Sequence, residues 1–482
     1  QVLAFFVHPL VATHLTLFLF YLLGYWGMWR LCREIFGFDE VVSHLGALLF
    51  SLNGFVFAHI YVGHVTHYPF LLIPWLFYAL FKNSRSVDWK AISIFALGIS
   101  YIFYSGGLHV LVICGLSFLV MTPTLLHWKW QNRSLGQFSI FVILAATAVV
   151  LVCSGKFVAG ALFSEHFVKS AIDSSGLPLH EQVLRYFWPN PRNIPPYIHF
   201  GKWGFGPWEY VAFISRVCVP GVIGCFIFQL LGIKLSRFLV ILSTVLIAYF
   251  ILYVAMGTSL NESLPFFSGY HNPIKILTSL AFPMILATTY AAERVLKMKS
   301  MGNPPQWFVA GFFMFAGMIF VSEYAIQTGI QVKNPMAKRY FFQPEVWGFL
   351  KAQNALIPVK HVIARYNADL QAVATGCSSL RCYEPLFGYR REHMYARVVP
   401  GDTDAQNGGF FNMTHPGCFL YPNDLICRAW DRIPVVQRDN FEKFRHGLAV
   451  WDWVPSWQTY LIRLNAFVAL LLLVPFLKEW FA

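Results

Sequence analysis

Apolar residues run along the chain in blocks of about 20, divided by short polar punctuation. An α-helix rises about 1.5 Å per residue, so a block of that length covers roughly 30 Å of hydrocarbon. Such blocks fall near 10–31, 41–62, 66–82, 89–104, 108–125, 136–160, 209–232, 236–257, 273–296, 305–326 and 459–477. They predict a polytopic α-helical membrane protein with about eleven transmembrane helices. The blocks 66–82 and 89–104 are short and hold Pro69, Pro74 and Gly98, residues that weaken or kink a helix. After residue 326 the pattern changes. Short apolar runs such as Lys360-His361-Val362-Ile363-Ala364 alternate with turn clusters such as Asp402-Thr403-Asp404 and Asn407-Gly408-Gly409. That predicts a small mixed α/β or β-rich domain. The expected organisation is a transmembrane helical domain over 1–326, interrupted by a long polar connection at 161–208, then a soluble domain over 327–458 and a last span with a short tail over 459–482.

Composition strengthens this picture. Of 482 residues, 57% are apolar and 12% charged, against about 25% charged in a soluble domain. A cytosolic enzyme, a secreted disulfide scaffold and a disordered chain are excluded. The net charge of +13, from 36 Lys and Arg against 23 Asp and Glu, would ordinarily raise a nucleic-acid partner. Its distribution says otherwise. Arg30, Arg33, Lys82, Arg85, Lys90, Lys129, Arg133, Lys234, Arg237, Arg294, Lys297, Lys299 and Lys478 fall in one set of loops, whereas the opposite short loops near 63–65, 105–107 and 258–272 hold none. The first set is therefore expected to be cytoplasmic. Residues 1–9, the connection 161–208 and the segment 327–458 are then expected outside, and no nucleic acid is expected as partner. The chain opens on Gln1 and runs into apolar sequence with no basic n-region or cleavage site. With the start outside, an upstream span and external loop are expected, making twelve helices at full length.

The cysteines divide in the same way. Cys32, Cys114, Cys153, Cys218 and Cys225 lie in or beside spans and read as small apolar side chains. Cys377, Cys382, Cys418 and Cys427 lie in the exported segment, where an oxidising compartment favours two disulfides. Local pairing, Cys377 with Cys382 and Cys418 with Cys427, is preferred among the connectivities. A zinc site is the alternative, although the spacings lack a tight C-x2-C pattern.

Candidate chemistry concentrates on the external side. The connection 161–208 holds Glu165, His166, Arg185 and Trp203 and leads into Trp208-Glu209-Tyr210. Aromatic rings beside cations suit stacking against a sugar, and suit equally an interfacial helix that seals the bundle. His59, His64 and His67 flank an external turn; they admit metal ligation, with interfacial hydrogen bonding or substrate contact as the preferred reading. Arg216, Lys275 and Lys156 sit just inside spans near the external interface. A cation there either grips a phosphate or snorkels to headgroups. The external acids Glu165, Asp173, Glu181, Glu209 and Glu262 form no close pair, and no Walker, G-x-S-x-G, H-E-x-x-H or dinucleotide motif is present.

The order of these features resembles the YfhO-like bacterial polytopic membrane proteins, within the broad GT-C class of integral-membrane glycosyltransferases. The likeness rests on Ser51-Leu52-Asn53-Gly54 followed by His64, Trp208-Glu209-Tyr210-Val211, Leu264-Pro265-Phe266-Phe267, Asn272-Pro273-Ile274-Lys275 and Tyr383-Glu384-Pro385-Leu386-Phe387-Gly388-Tyr389. It covers nearly the whole layout with short, degenerate motifs. It implies sugar transfer from a polyprenyl-phosphate carrier to an acceptor at the outer face of the bacterial cytoplasmic membrane. Membrane lipid and the lipid-linked sugar are the implied partners, with other membrane subunits open. The class uses an Asp of the first external loop, expected upstream of Gln1, so no residue here inherits that role. Arg216 and Lys275 are placed to bind the donor phosphate, although Lys275 stands where similar proteins usually carry Arg. Metal dependence varies in the class, so a divalent ion remains open as cofactor. A non-catalytic accessory subunit with the same fold is the alternative function. A transporter is the weaker third, for want of a mid-membrane acid pair.

Overall fold

The structure is a computed structural model and describes residues 9–61, 65–82, 86–166, 277–297 and 457–480, helical positions at 218, 222, 240–242 and 244–248, and short strands within 361–434. The chain divides into two compact units, one of Gln1–Cys153, Asp173–Gln331 and Phe467–Ala482, the other of Ser154–Ile172 and Val332–Ala466.

The first unit is helical. Helix α1 (Pro9–Arg30) runs into a π-helical turn, Leu31–Ile35. Helix α2 (Glu40–Ser51) is capped by Asp39, whose carboxylate accepts the Val41 N–H at 2.9 Å. The block expected as one helix over 41–62 breaks at Leu52-Asn53. The buried Asn53 side chain accepts the N–H groups of Phe55 and Val56 at 3.1 and 3.3 Å and so begins a separate helix, α3 (Gly54–Tyr61). The block 66–82 also departs from one α-helix: it opens as a 3-10 helix, Val65–Leu72, around Pro69, and α4 (Ile73–Phe81) starts with Pro74 in its first turn, where no donor is needed. Helix α5 (Trp89–Tyr104) is capped by Asp88, and α6 (Leu108–Gln131) passes through Pro123. Helix α7 (Leu135–His166) extends beyond its expected end, so Glu165 and His166 are helical rather than in the connection. A 3-10 turn, Thr278–Leu280, leads into α8 (Ala281–Leu296), and α9 spans Gln458–Trp480.

Among the described residues, four helices are long and apolar enough to cross a membrane: His14–Ile35, His109–Gln131, Leu135–Ala159 and Gln458–Phe476. Shorter apolar helical stretches cover Glu40–Val56, Thr66–Phe81 and Trp89–Tyr104. The core between α2, α4 and α8 is aromatic, with Phe50, Phe70, Phe77 and Phe282 fully buried and the Phe77 and Phe282 rings stacked at 4.2 Å. Gly46 permits the close approach of α2 to α8, because a Cβ there would lie 2.8 Å from the Thr289 hydroxyl. Cys32, Cys114, Cys153 and Cys218 are buried thiols, in keeping with small apolar side chains.

The second unit contains short strands. Strand β1 (His361–Val362) pairs in parallel with β2 (Ser378–Ser379). Strands β3 (Gln406–Asn407), β4 (Phe410–Asn412) and β5 (Arg432–Pro434) form an antiparallel sheet in which Phe411 faces Ile433. In sequence, Gly408-Gly409 separates β3 from β4 and belongs to a cluster that reads as a turn. In the same unit Asn465 accepts the Gly155 N–H at 2.9 Å and donates to the Ser154 hydroxyl at 2.8 Å, tying α9 to α7. Cys377, Cys382, Cys418 and Cys427, with their expected pairing, lie outside the described residues.

Candidate functional site

The turns of the first unit fall at two ends. At one end α3, the 3-10 helix and the start of α6 bring three imidazoles together. His59 and His67 are buried, with ring centroids 4.0 Å apart and planes 25° apart. His109, in the first turn of α6 and partly exposed, stacks near His67 at 6.1 Å. Phe55 packs against both buried rings, at 4.5 and 5.5 Å. His59 Nδ1 donates to the Phe55 carbonyl oxygen at 2.8 Å; because a carbonyl only accepts, the proton of a neutral ring sits on Nδ1 and Nε2 carries the lone pair. Nearby, the Tyr68 and Tyr101 hydroxyls are hydrogen-bonded at 2.8 Å.

Glycine makes this end possible. Gly106 adopts φ +81°, and a Cβ on Gly107 would stand 3.0 Å from the Thr66 carbonyl oxygen, so the α5–α6 turn lies directly on the 3-10 helix. The sequence grouped His59 with His64 and His67; the structure keeps His59 and His67 together and adds His109. The available signal was Gly106-Gly107 followed two residues later by a histidine at the head of a span. No Asp or Glu occurs between Val41 and Val87 or between Trp89 and Gln131, the segments that build this end. Among the described residues no group of three or more His, Cys, Asp or Glu side chains is arranged to hold a metal ion. This end brings together imidazole rings and two phenols.

The opposite end carries charge. Glu34, on the π-helical turn, accepts from Arg30 Nε at 2.6 Å and from the Tyr78 hydroxyl at 2.7 Å. The Arg30 guanidinium also lies 5.4–5.7 Å from the ring centres of Trp26, Trp75 and Tyr78. Glu40 meets Arg33 Nε at 3.3 Å, His44 at 3.1 Å and the Trp29 indole N–H at 3.1 Å. Glu293, 3% exposed, accepts the Asp39 N–H at 2.8 Å and pairs with Lys297 at 2.5 Å. Lys82 pairs with Asp88 at 2.9 Å, and Lys129 donates to the Lys82 carbonyl at 2.7 Å. Burial pushes the Asp88 carboxyl up, but the Lys82 ammonium and the Ala91 N–H outweigh it and hold Asp88 below its ordinary range. The sequence used the basic members of this set only for orientation. Their partners Glu34, Glu40, Asp88 and Glu293 went unremarked; Glu34 and Glu293 also reach Tyr78 and the Asp39 N–H, contacts far away in sequence.

Of the other sequence-predicted site residues, Lys156 is half-buried on α7, one residue beyond the Gly155 contact with Asn465. Glu165 and His166 occupy the last turn of α7. His64, Arg185, Trp203, Trp208, Glu209, Arg216 and Lys275 lie outside the described residues. Comparison with protein-family models, characterised proteins and solved structures gives no match.

Proposed function

We propose that the chain is an integral-membrane glycosyltransferase with a GT-C-like, YfhO-like architecture of about eleven spans. It transfers a sugar from a polyprenyl-phosphate donor to an acceptor at the outer face of the bacterial cytoplasmic membrane. The observation that carries this reading is the contrast within one apolar bundle: the end holding the turns without Lys or Arg gathers His59, His67, His109, Tyr68 and Tyr101, while the basic loops gather at the other. Positive charge favours the cytoplasmic side, so the imidazole end is assigned to the outer side.

In this scheme Arg216, Lys275 and Lys156 hold the donor phosphate and stabilise it as a leaving group. His64, Glu165, His166, Arg185, Trp203, Trp208 and Glu209 are the candidates for sugar and acceptor binding, and His109 is a further candidate. Buried His67 and His59 hold the His109 ring in place. No residue of this chain is assigned the general base, and no metal is assigned. The exported domain, with disulfides among Cys377, Cys382, Cys418 and Cys427, carries 15 basic against 11 acidic residues over 327–458, a balance mild enough to meet a neutral glycan.

The test uses the full-length protein in proteoliposomes with a labelled polyprenyl-phosphate sugar and a lipid or glycan acceptor. Arg216→Ala and Lys275→Ala should each lower transfer about a hundredfold while leaving expression intact. Wild-type turnover in both variants removes them from the site, and no transfer by the full-length protein with any polyprenyl-phosphate sugar removes the enzyme reading. A chelator arm decides metal dependence.

A further inference from the structure

At the charged end, α1 and α2 carry a chain of three functional groups, apart from every residue given a role in sugar transfer above. Glu40 and His44 stand one turn apart on α2 and so share a face, and Tyr25 and Trp29 do the same on α1. The Tyr25 hydroxyl is hydrogen-bonded to His44 Nδ1 at 2.5 Å, and His44 Nε2 lies 3.1 Å from Glu40 Oε1. A carboxylate accepts and does not donate, so a neutral ring keeps its proton on Nε2 and turns the Nδ1 lone pair toward the phenol. Glu40 is itself held, by the Trp29 indole N–H at 3.1 Å and by Arg33 Nε at 3.3 Å.

A hydroxyl, a base and an orienting carboxylate in contact one after another form the arrangement that activates a weak nucleophile. The group is open to a reagent: the His44 and Glu40 side chains are 46% and 49% exposed, and Tyr25 is half-buried. Its surroundings are apolar. Leu22, one turn before Tyr25, and Val41 and Leu48, one turn to either side of His44, are all exposed. A phenol beside a base and flanked by exposed aliphatic side chains suits a substrate that joins an electrophilic carbon to an alkyl chain. Basicity narrows the class. A phenolate, with an ordinary pKa of about 10, readily displaces a thiolate of about 8.5 but not the far more basic alkoxide of a simple ester.

We propose that Tyr25 is acylated by a long-chain acyl thioester, with His44 as general base and Glu40 as the residue that positions it. The phenol oxygen attacks the thioester carbonyl carbon while its proton passes to His44 Nδ1. The C–S bond breaks, the proton moves from His44 to the departing thiolate, and an ester C–O bond is left on Tyr25 beside a free thiol. Purified full-length protein in a neutral detergent is incubated separately with a decanoyl and an acetyl thioester of the same thiol, and acylated peptides are quantified by mass spectrometry. Tyr25 should be acylated faster by the decanoyl thioester, and faster than Tyr460, which is 68% exposed and would react first if exposure alone governed the rate. His44→Ala should slow acylation about a hundredfold, with partial recovery on adding imidazole. Glu40→Gln, which keeps an acceptor for the Trp29 indole, should slow it about tenfold at unchanged melting temperature. Should either variant fail to fold, the comparison of Tyr25 with Tyr460 in the wild-type protein still decides. No ester on Tyr25, equal acylation of Tyr460, equal rates with the two thioesters, wild-type rates in a folded variant, or no recovery with imidazole would overturn the proposal.

Discussion

The two ends of the first unit solve the same problem in opposite ways. Each must end an apolar bundle in water. The charged end does it with ion pairs and helix caps: Glu34 with Arg30 and Tyr78, Asp88 with Lys82, Glu293 with Lys297 and the Asp39 N–H. The imidazole end contains no carboxylate in the segments that build it, and relies on stacked rings and the Asn53 cap. Paired charges anchor an interface but neutralise one another. The imidazole end closes instead on imidazole and aromatic rings and on the Tyr68–Tyr101 hydroxyl pair.

Four substitutions break or sharpen this contrast. The largest effect is expected from Glu293→Ala, which removes the buried acceptor of the Asp39 N–H and the partner of the largely exposed Lys297; unfolding in detergent should become easier by about 3 kcal/mol. At the other end, Asn53→Ala removes the cap of α3 and should cost about 2 kcal/mol in the same measurement. Asp88→Ala removes a cap and an ion pair at a more accessible position, with an expected loss of about 1 kcal/mol. Because Asp88 is held below its ordinary range, its contribution is complete above that range and is lost as pH falls below about 4. The melting temperature of wild type should therefore drop toward that of Asp88→Asn between pH 6 and pH 3. The smallest stability change belongs to His59→Phe, under about 1 kcal/mol, since a ring of similar size keeps the stack and the Phe55 carbonyl remains within its helix. If the imidazole end faces substrate, that variant should still lose about tenfold in sugar transfer. A loss of stability with unchanged transfer would assign the stack a packing role alone.

Much of the helical order was legible from hydropathy. The first and last spans, expected over 10–31 and 459–477, appear as Pro9–Arg30 and Gln458–Trp480, because a continuous apolar run leaves the backbone no other partner than itself in lipid. Hydropathy did not show the interruptions. Asn53 and Pro69 sit inside apolar blocks, and their effects come from a side-chain amide that competes for backbone N–H groups and from a missing donor. The imidazole stack was half legible. His59 and His67 are neighbours in sequence, whereas His109 joins them only because the Gly106-Gly107 turn lies on the 3-10 helix. The carboxylates of the charged end were the least visible, since the Glu293 contact to Asp39 bridges residues 254 apart in sequence.

The contrast between the two ends is tested most directly by photo-crosslinking. A polyprenyl-phosphate sugar probe bearing a diazirine beside the sugar is activated in proteoliposomes of the full-length protein, and the labelled peptides are mapped. The account predicts labelling of the imidazole end, within 62–72 and 105–109, and of the 161–208 connection, competed by unlabelled donor. Labelling confined to the charged end, within 82–90 and 129–137, would contradict it.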